Sequence, residues 1–131
     1  MPIDYAVDDV LRIVRVTATG IVDPDQELTL LERILADPRR RPGFGWLCDF
    51  RERSPAASAE HVRDVARVFL EHRAALGPSR MAALISRDVG HGLARMFDAL
   101  VDDALEVAIF RDLAEAEAWL GAPPRGTANR P

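Results

Sequence analysis

The chain predicts an α/β protein: a five-stranded mixed sheet, with an N-terminal β-hairpin followed by βα repeats. Three observations point there. Two runs rich in β-branched residues, over 3–7 and 10–18, flank Asp8-Asp9 as the arms of a hairpin would. Short apolar runs then alternate with stretches whose apolar residues recur every three or four positions. The resulting order, β-β-α-β-α-β-α-β-α, requires parallel pairing through right-handed crossovers, and a uniform step gives the sheet order 1-2-3-4-5.

Each element follows from its residues. Asp8-Asp9 is expected to close a tight turn. Asp23-Pro24 supplies an N-cap and a proline at the first helical position. That helix runs to about Ala36 with Leu28, Leu31, Ile34 and Leu35 on one stripe, and Pro38 stops it. Residues 39–42 read as a basic, exposed loop. Residues 45–50, Gly-Trp-Leu-Cys-Asp-Phe, form a buried strand by length and composition. Ser58 caps a long helix to about Leu76, with Val62, Val65, Phe69, His72 and Leu76 on one continuous face. Gly77-Pro78 ends it, and residues 81–85 make the next strand. The stretch "SRDVGHGLARMFDAL" then enters a helix buried on Leu93, Met96, Phe97, Leu100 and Val101. Residues 105–110 form the last strand. Asp112 with Glu115 caps a final helix through Trp119 and Leu120. Gly121 closes it, leaving one domain over 3–121 and an expected disordered tail over 122–131.

Composition narrows the function. A chain of 131 residues removes roughly two-thirds of its unfolded surface from water. At 48% hydrophobic it can build a core without metal or disulfide staples. The 17 basic and 21 acidic residues leave a net charge of −4, which argues against a nucleic-acid partner. All 17 basic residues are arginine. Phosphate-binding P-loops, pyridoxal Schiff bases and lysine nucleophiles are thereby excluded, and no cofactor is expected. With abundant alanine, the arginine usage matches the codon habit of a GC-rich bacterial genome. Cys48 is the single cysteine, so no intrachain disulfide forms and the protein reads as cytoplasmic. Three scattered histidines lack zinc-ligand spacing, and no metal is expected. No apolar run nears the roughly 20 residues of a membrane helix. The start, Met1-Pro2-Ile3-Asp4-Tyr5, lacks the layout of a signal peptide.

Three strand-to-helix junctions share a pattern: Phe50-Arg51-Glu52, Ser86-Arg87-Asp88 and Phe110-Arg111-Asp112. Parallel strands end on one edge, where open α/β sheets bind ligands. Arg51, Arg53, Arg87, His91 and Arg111 are therefore either an anion-binding rim or solvated arginines paired with adjacent acids. Asp49, near the end of a central strand, pairs with Arg51 or Arg87 or points at a ligand. Gly90 and Gly92 let backbone approach an anion at a helix N-terminus, or let the helix pack tightly. His91 is either a pH-sensitive contact or a structural histidine. His72 reads as partly buried, and His61, in a first helical turn, as facing solvent. Cys48, Trp46, Trp119 and Phe110 read as core residues. No Gly-x-Ser-x-Gly, His-Glu-x-x-His or diagnostic acid pair is present, so no catalytic residue is assigned.

The hairpin start, "SRDVGHGLARMFDAL" and "VAIFRDLAEAEAWL" together resemble the SpoIIAA-like family, also called STAS/SEC14-domain proteins. The likeness runs from about Ile3 to Leu120. It implies a superhelix of βα turns. It also implies one of two activities. Anti-anti-sigma factors bind a partner kinase or sigma inhibitor and are switched by phosphorylation of a serine that follows an Asp after strand three. Here that region reads Asp49-Phe50-Arg51-Glu52-Arg53-Ser54-Pro55, without the Asp-Ser pair. Ser54 and Ser58 are the nearest candidate acceptors, and Ser58 is more simply an N-cap. The lipid-binding SEC14 branch needs a long apolar pocket, for which so short a chain has little room.

The leading expectation is a non-enzymatic regulatory module that binds a protein partner through the junction edge, at Asp49, Arg51, Arg53, Arg87, Gly90, His91, Gly92 and Arg111. The alternative is a small-ligand binder for an anion or lipid, or an enzyme acting on an anion, at the same edge. Two adjacent alanines in strand 81–85 add a small-residue face on which a homodimer could form.

Overall fold

A computed structural model describes residues 2–121; the tail expected over 122–131 lies outside them. Strands β1 (Ile3–Asp8) and β2 (Ile13–Gly20) pair antiparallel. Helix α1 (Pro24–Ala36) leads to β3 (Gly45–Arg53). Helices α2 (Ala59–Glu71) and α3 (Arg73–Leu76) lead to β4 (Arg80–Leu84). Helix α4 (Asp88–Val101) leads to β5 (Glu106–Phe110), and α5 (Leu113–Gly121) follows. The sheet order is β1-β2-β3-β4-β5, parallel from β2 onward, as the element order requires.

Right-handed crossovers in a sheet that always steps the same way put their helices on one face. Helices α1, α2 and α4 accordingly pack together over the larger core. There Trp46, Phe69 and Phe97 meet edge to face, with centroids 5.1 and 5.5 Å apart. Helix α5 covers the opposite face, burying Ile13, Leu47, Ala82, Leu84 and Ala116. Trp119 and Phe110, half-buried, stack beside that second core at 5.6 Å. The three expected caps form. Asp23 accepts from Asp25 N–H, Ser58 from His61 N–H and Asp112 from Glu115 N–H, at 3.0–3.1 Å.

Several local expectations are corrected. The hairpin turn is wider than Asp8-Asp9, because the Asp8 carboxylate accepts from the N–H groups of Val10 and Leu11 and so competes with the ladder. β2 begins at Ile13, and Val10 is left 90% exposed. The helix after Ser58 breaks at His72, whose Nδ1–H donates to the Val68 carbonyl at 2.8 Å. Leu100 is exposed and Phe97 and Val101 carry that face of α4. The loop over 39–42 is not wholly exposed. Arg40 is buried, and its guanidinium donates to the carbonyls of Ile34 and Leu35 at the end of α1 and of Ala75 in α3. The small-residue face is not at the surface either: Ala82 and Ala83 are both buried within the protomer.

Candidate functional site

The site begins with an irregularity in β3. Thr17 lies opposite Asp49 but Thr19 opposite Glu52, so β3 carries one extra residue over this stretch. Before it, Trp46, Cys48 and Phe50 belong to the helix-covered core and Leu47 to the core under α5. Strict alternation would put Arg53 on the α5 face with Leu47, Asp49 and Arg51. The bulge reverses the alternation and aims Arg53 at α1.

Arg53 there meets Glu27 through two hydrogen bonds, Nη2 to Oε1 at 2.8 Å and Nη1 to Oε2 at 3.1 Å. His61 Nε2 approaches the same Oε1 at 2.6 Å. All three side chains are more than nine-tenths buried. Burial pushes the Glu27 carboxyl upward, but the hydrogen bonds from His61 and Arg53 outweigh it and hold it below its ordinary value of 4.5. An ionised carboxylate only accepts, so His61 Nε2 carries the hydrogen. His61 is therefore not the solvent-facing residue its place in a first turn predicts. Helix α2 turns that side against α1, where a carboxylate receives it.

This triad forms one wall of an apolar pocket of about 130 Å³ between the sheet and helices α1, α2 and α4. Phe50, Val65, Phe69, Ile85, Leu93 and Phe97 supply much of its apolar lining. Ser86, Arg87 and Val89, all exposed, line it at the carboxyl edge of β4. Arg53 Nε and His61 Nδ1 are buried and without a partner among the described residues. Cys48 also lines the pocket, and burial pushes its thiol well above the usual range, so it is no nucleophile.

The other expected residues fall around this opening. Arg87 donates to Ser54 Oγ at 3.1 Å, joining the start of α4 to the segment that carries the pocket-lining Ala56 and Ala57. Arg51 lies on Asp49 through Nε and Nη2, at 2.9 and 2.8 Å, and this holds the Asp49 carboxyl below its usual range. Ser86 Oγ donates to the Arg51 carbonyl, and Arg111 donates to the Ser86 carbonyl and to Asp88. Arg51, Arg87 and Arg111 thus share an edge, each with an acceptor, while Arg53 leaves it for the pocket. A Cβ on Gly90 would stand 2.7 Å from Ile85 Cγ2, so close packing requires that glycine. A Cβ on Gly92 would meet open space. His91 is half-buried on α4, its Nε2 unpartnered, and does not line the pocket. Ser58 is an N-cap.

Glu27 and His61 are absent from the sequence-based site, although a signal existed. Glu27 shares the spacing of Leu30, Leu31 and Ile34, and His61 that of Val65 and Phe69; each is a polar residue inside an apolar stripe. Among the described residues no group of three or more His, Cys, Asp or Glu could hold a metal ion, and no helix is long and apolar enough to cross a membrane.

The fold and pocket together define a small α/β protein with a ligand-sized cavity at the carboxyl edge of its sheet. A scan against protein-family models matches none, and a search of the curated proteins returns no match. Among solved structures, the chain is similar to an uncharacterized protein of the DUF3478 family with a SpoIIAA-like fold from Shewanella loihica PV-4. The TM-score is 0.63 at 22% identity, over 90% of this chain and 93% of that one. The fold is SpoIIAA-like.

Proposed function

We propose that the protein binds a small, largely apolar molecule in the pocket between its sheet and helices α1, α2 and α4. One observation carries the reading: an apolar cavity of about 130 Å³ walled on one side by a buried, hydrogen-bonded charge cluster. Concave, mostly apolar sites with a few convergent polar groups are where small ligands bind. The size sets the class. A cavity of about 150 Å³ in another protein holds one benzene molecule, so this one suits a ring or a short chain and not a two-chain lipid. Of the two readings the sequence left open, this favours the small ligand, in a pocket lined by Arg53, Arg87 and Gly90 of the expected residues.

Differential scanning fluorimetry with benzene-sized probes, toluene, benzyl alcohol and phenylacetate, tests the reading. At a ligand concentration of about 100 times Kd, binding adds about 2.7 kcal/mol to stability and raises Tm by several degrees. Ala94→Phe, which builds bulk into the pocket from α4, is expected to abolish the shift while the protein stays folded. No shift with any probe would overturn the proposal.

The expected protein-partner contact keeps a specific support in Val89, which is 60% exposed between Arg87 and Gly90 beside the opening. On this reading the loaded and empty pocket would present different edges to the partner. A pull-down from the native host with and without a bound probe would separate the two states.

A further inference from the structure

Independently of the pocket, we infer that the outer edge of β5 is a self-pairing surface, where a second copy of this chain adds its own β5 antiparallel to make one continuous sheet. The sheet has two edges, β1 and β5. An edge strand presents unpaired N–H and C=O groups, and proteins that stay single blunt such edges with charge, proline or a bulge. β1 carries Asp4 and Asp8. β5 carries no such device between Glu106 and Arg111. Val107-Ala108-Ile109-Phe110 is apolar, and its pairing with β4 runs without a register shift. The alternation of hydrogen bonds identifies the free groups. Glu106 N–H donates to the Ser79 carbonyl, and the Phe110 carbonyl accepts from Ile85 N–H. Residues 106, 108 and 110 thus turn their backbone groups to β4. Those of Val107 and Ile109 turn outward, where no strand follows and no loop bonds them among the described residues.

The occupant is a second copy because this edge complements itself. Two β5 strands running antiparallel about a two-fold axis at Ala108 set Val107 opposite the partner's Ile109, and Ile109 opposite the partner's Val107. Each pair then exchanges both of its N–H···O=C bonds, and every outward group of Val107 and Ile109 is satisfied. Ala108 falls in the pair between them, where antiparallel strands come closest, at about 4.5 Å between Cα atoms. The smallest side chain of the strand stands at that point. Charge agrees with the direction. The strand has an acid at its start and a base just past its end, so antiparallel pairing brings Glu106 beside the partner's Arg111 at each end of the seam. A parallel copy would set like charges together. The two-fold arrangement is also the commonest symmetry of soluble oligomers. This surface is separate from the two alanines of β4, which are buried within the protomer. Val107 lines the pocket as well, so the seam runs along one wall of it.

Sedimentation equilibrium of the full chain at rising concentration is expected to show the mass moving from 14.5 kDa to twice that value. Hydrogen exchange over the same concentrations should slow at the amides of Val107 and Ile109 and stay unchanged in β1. Two variants locate the seam. Ile109→Pro removes an outward donor without touching the bonds to β4, so the protein should stay folded and dimerise about tenfold or more weakly. Ala108→Cys, treated with oxidised glutathione, should give a disulfide-linked dimer, because the axis brings its two copies within disulfide reach. Val107→Cys should not, since its copies lie diagonally apart, and the native Cys48 is buried. A mass of 14.5 kDa at every concentration would overturn the inference. So would a dimer that Ala108→Cys fails to link, or one that Ile109→Pro leaves equally tight.

Discussion

Gly90 and Gly92 look equivalent in the sequence, two glycines either side of a histidine at a helix start, yet they have opposite physical roles. An alanine at Gly90 would drive its Cβ to 2.7 Å from Ile85 Cγ2, a branch methyl on a buried side chain. The helical gain of about 1 kcal/mol is then outweighed by overpacking of about 1–3 kcal/mol. Gly92→Ala meets nothing and should stabilise by about 0.5–1 kcal/mol. Urea unfolding of the two variants checks this, and equal effects would remove the close-approach account. Glu27 carries a second prediction at this scale. Its folded pKa lies below the ordinary 4.5, so its contribution is complete above that value and disappears as the pH falls through the folded one. Glu27→Gln should cost about 3–5 kcal/mol at neutral pH, because it leaves Arg53 buried without its anion. The variant should also lose less stability than the parent as the solution is acidified. Parallel acid curves would contradict it. What the sequence hid was the company these residues keep. Glu27 and His61 belong to different helices 34 positions apart, and nothing local to either names the other.

Among the elements, the caps and strand order were legible, since Asp23, Ser58 and Asp112 act on N–H groups only two or three residues away. Features that depend on a distant partner were not. Arg40 reads as one more charge in Arg39-Arg40-Arg41, but it caps the last turn of α1 and reaches α3. Carbonyls at helix ends lack partners of their own, and a guanidinium satisfies several at once. Arg40→Lys should therefore destabilise by about 1–3 kcal/mol despite keeping the charge, because an ammonium cannot reproduce the planar fork. Hydrogen exchange at the end of α1 would quicken. An unchanged unfolding midpoint would show that solvent replaces the guanidinium freely. The bulge in β3 belongs here too. Alternation applied to Asp49, Arg51 and Arg53 predicts one shared face, and one inserted residue is enough to divide them between rim and pocket.

For the molecule as a whole, two unequal cores share one sheet, and the smaller depends on a single helix. Removing everything after Phe110 would expose Ile13, Leu47, Ala82 and Leu84 to water. Ile13, Leu47 and Leu84 each contribute about 1.5–3 kcal/mol by their burial, and total stability is only about 5–15 kcal/mol. The shortened chain is expected to aggregate or to lose its cooperative thermal transition. A soluble, cooperatively folding product would show that the layer of α1, α2 and α4 suffices alone. Hydrophobic period and capping chemistry, both read from near neighbours, were enough to determine the alternation of elements and the hairpin edge, and right-handed crossovers of uniform step then gave the sheet order. Which polar residues meet in the interior was decided only by tertiary packing. A helix fixes the direction of its own side chains, but whether a buried Glu finds an Arg and a His depends on the register and rotation of elements far along the chain.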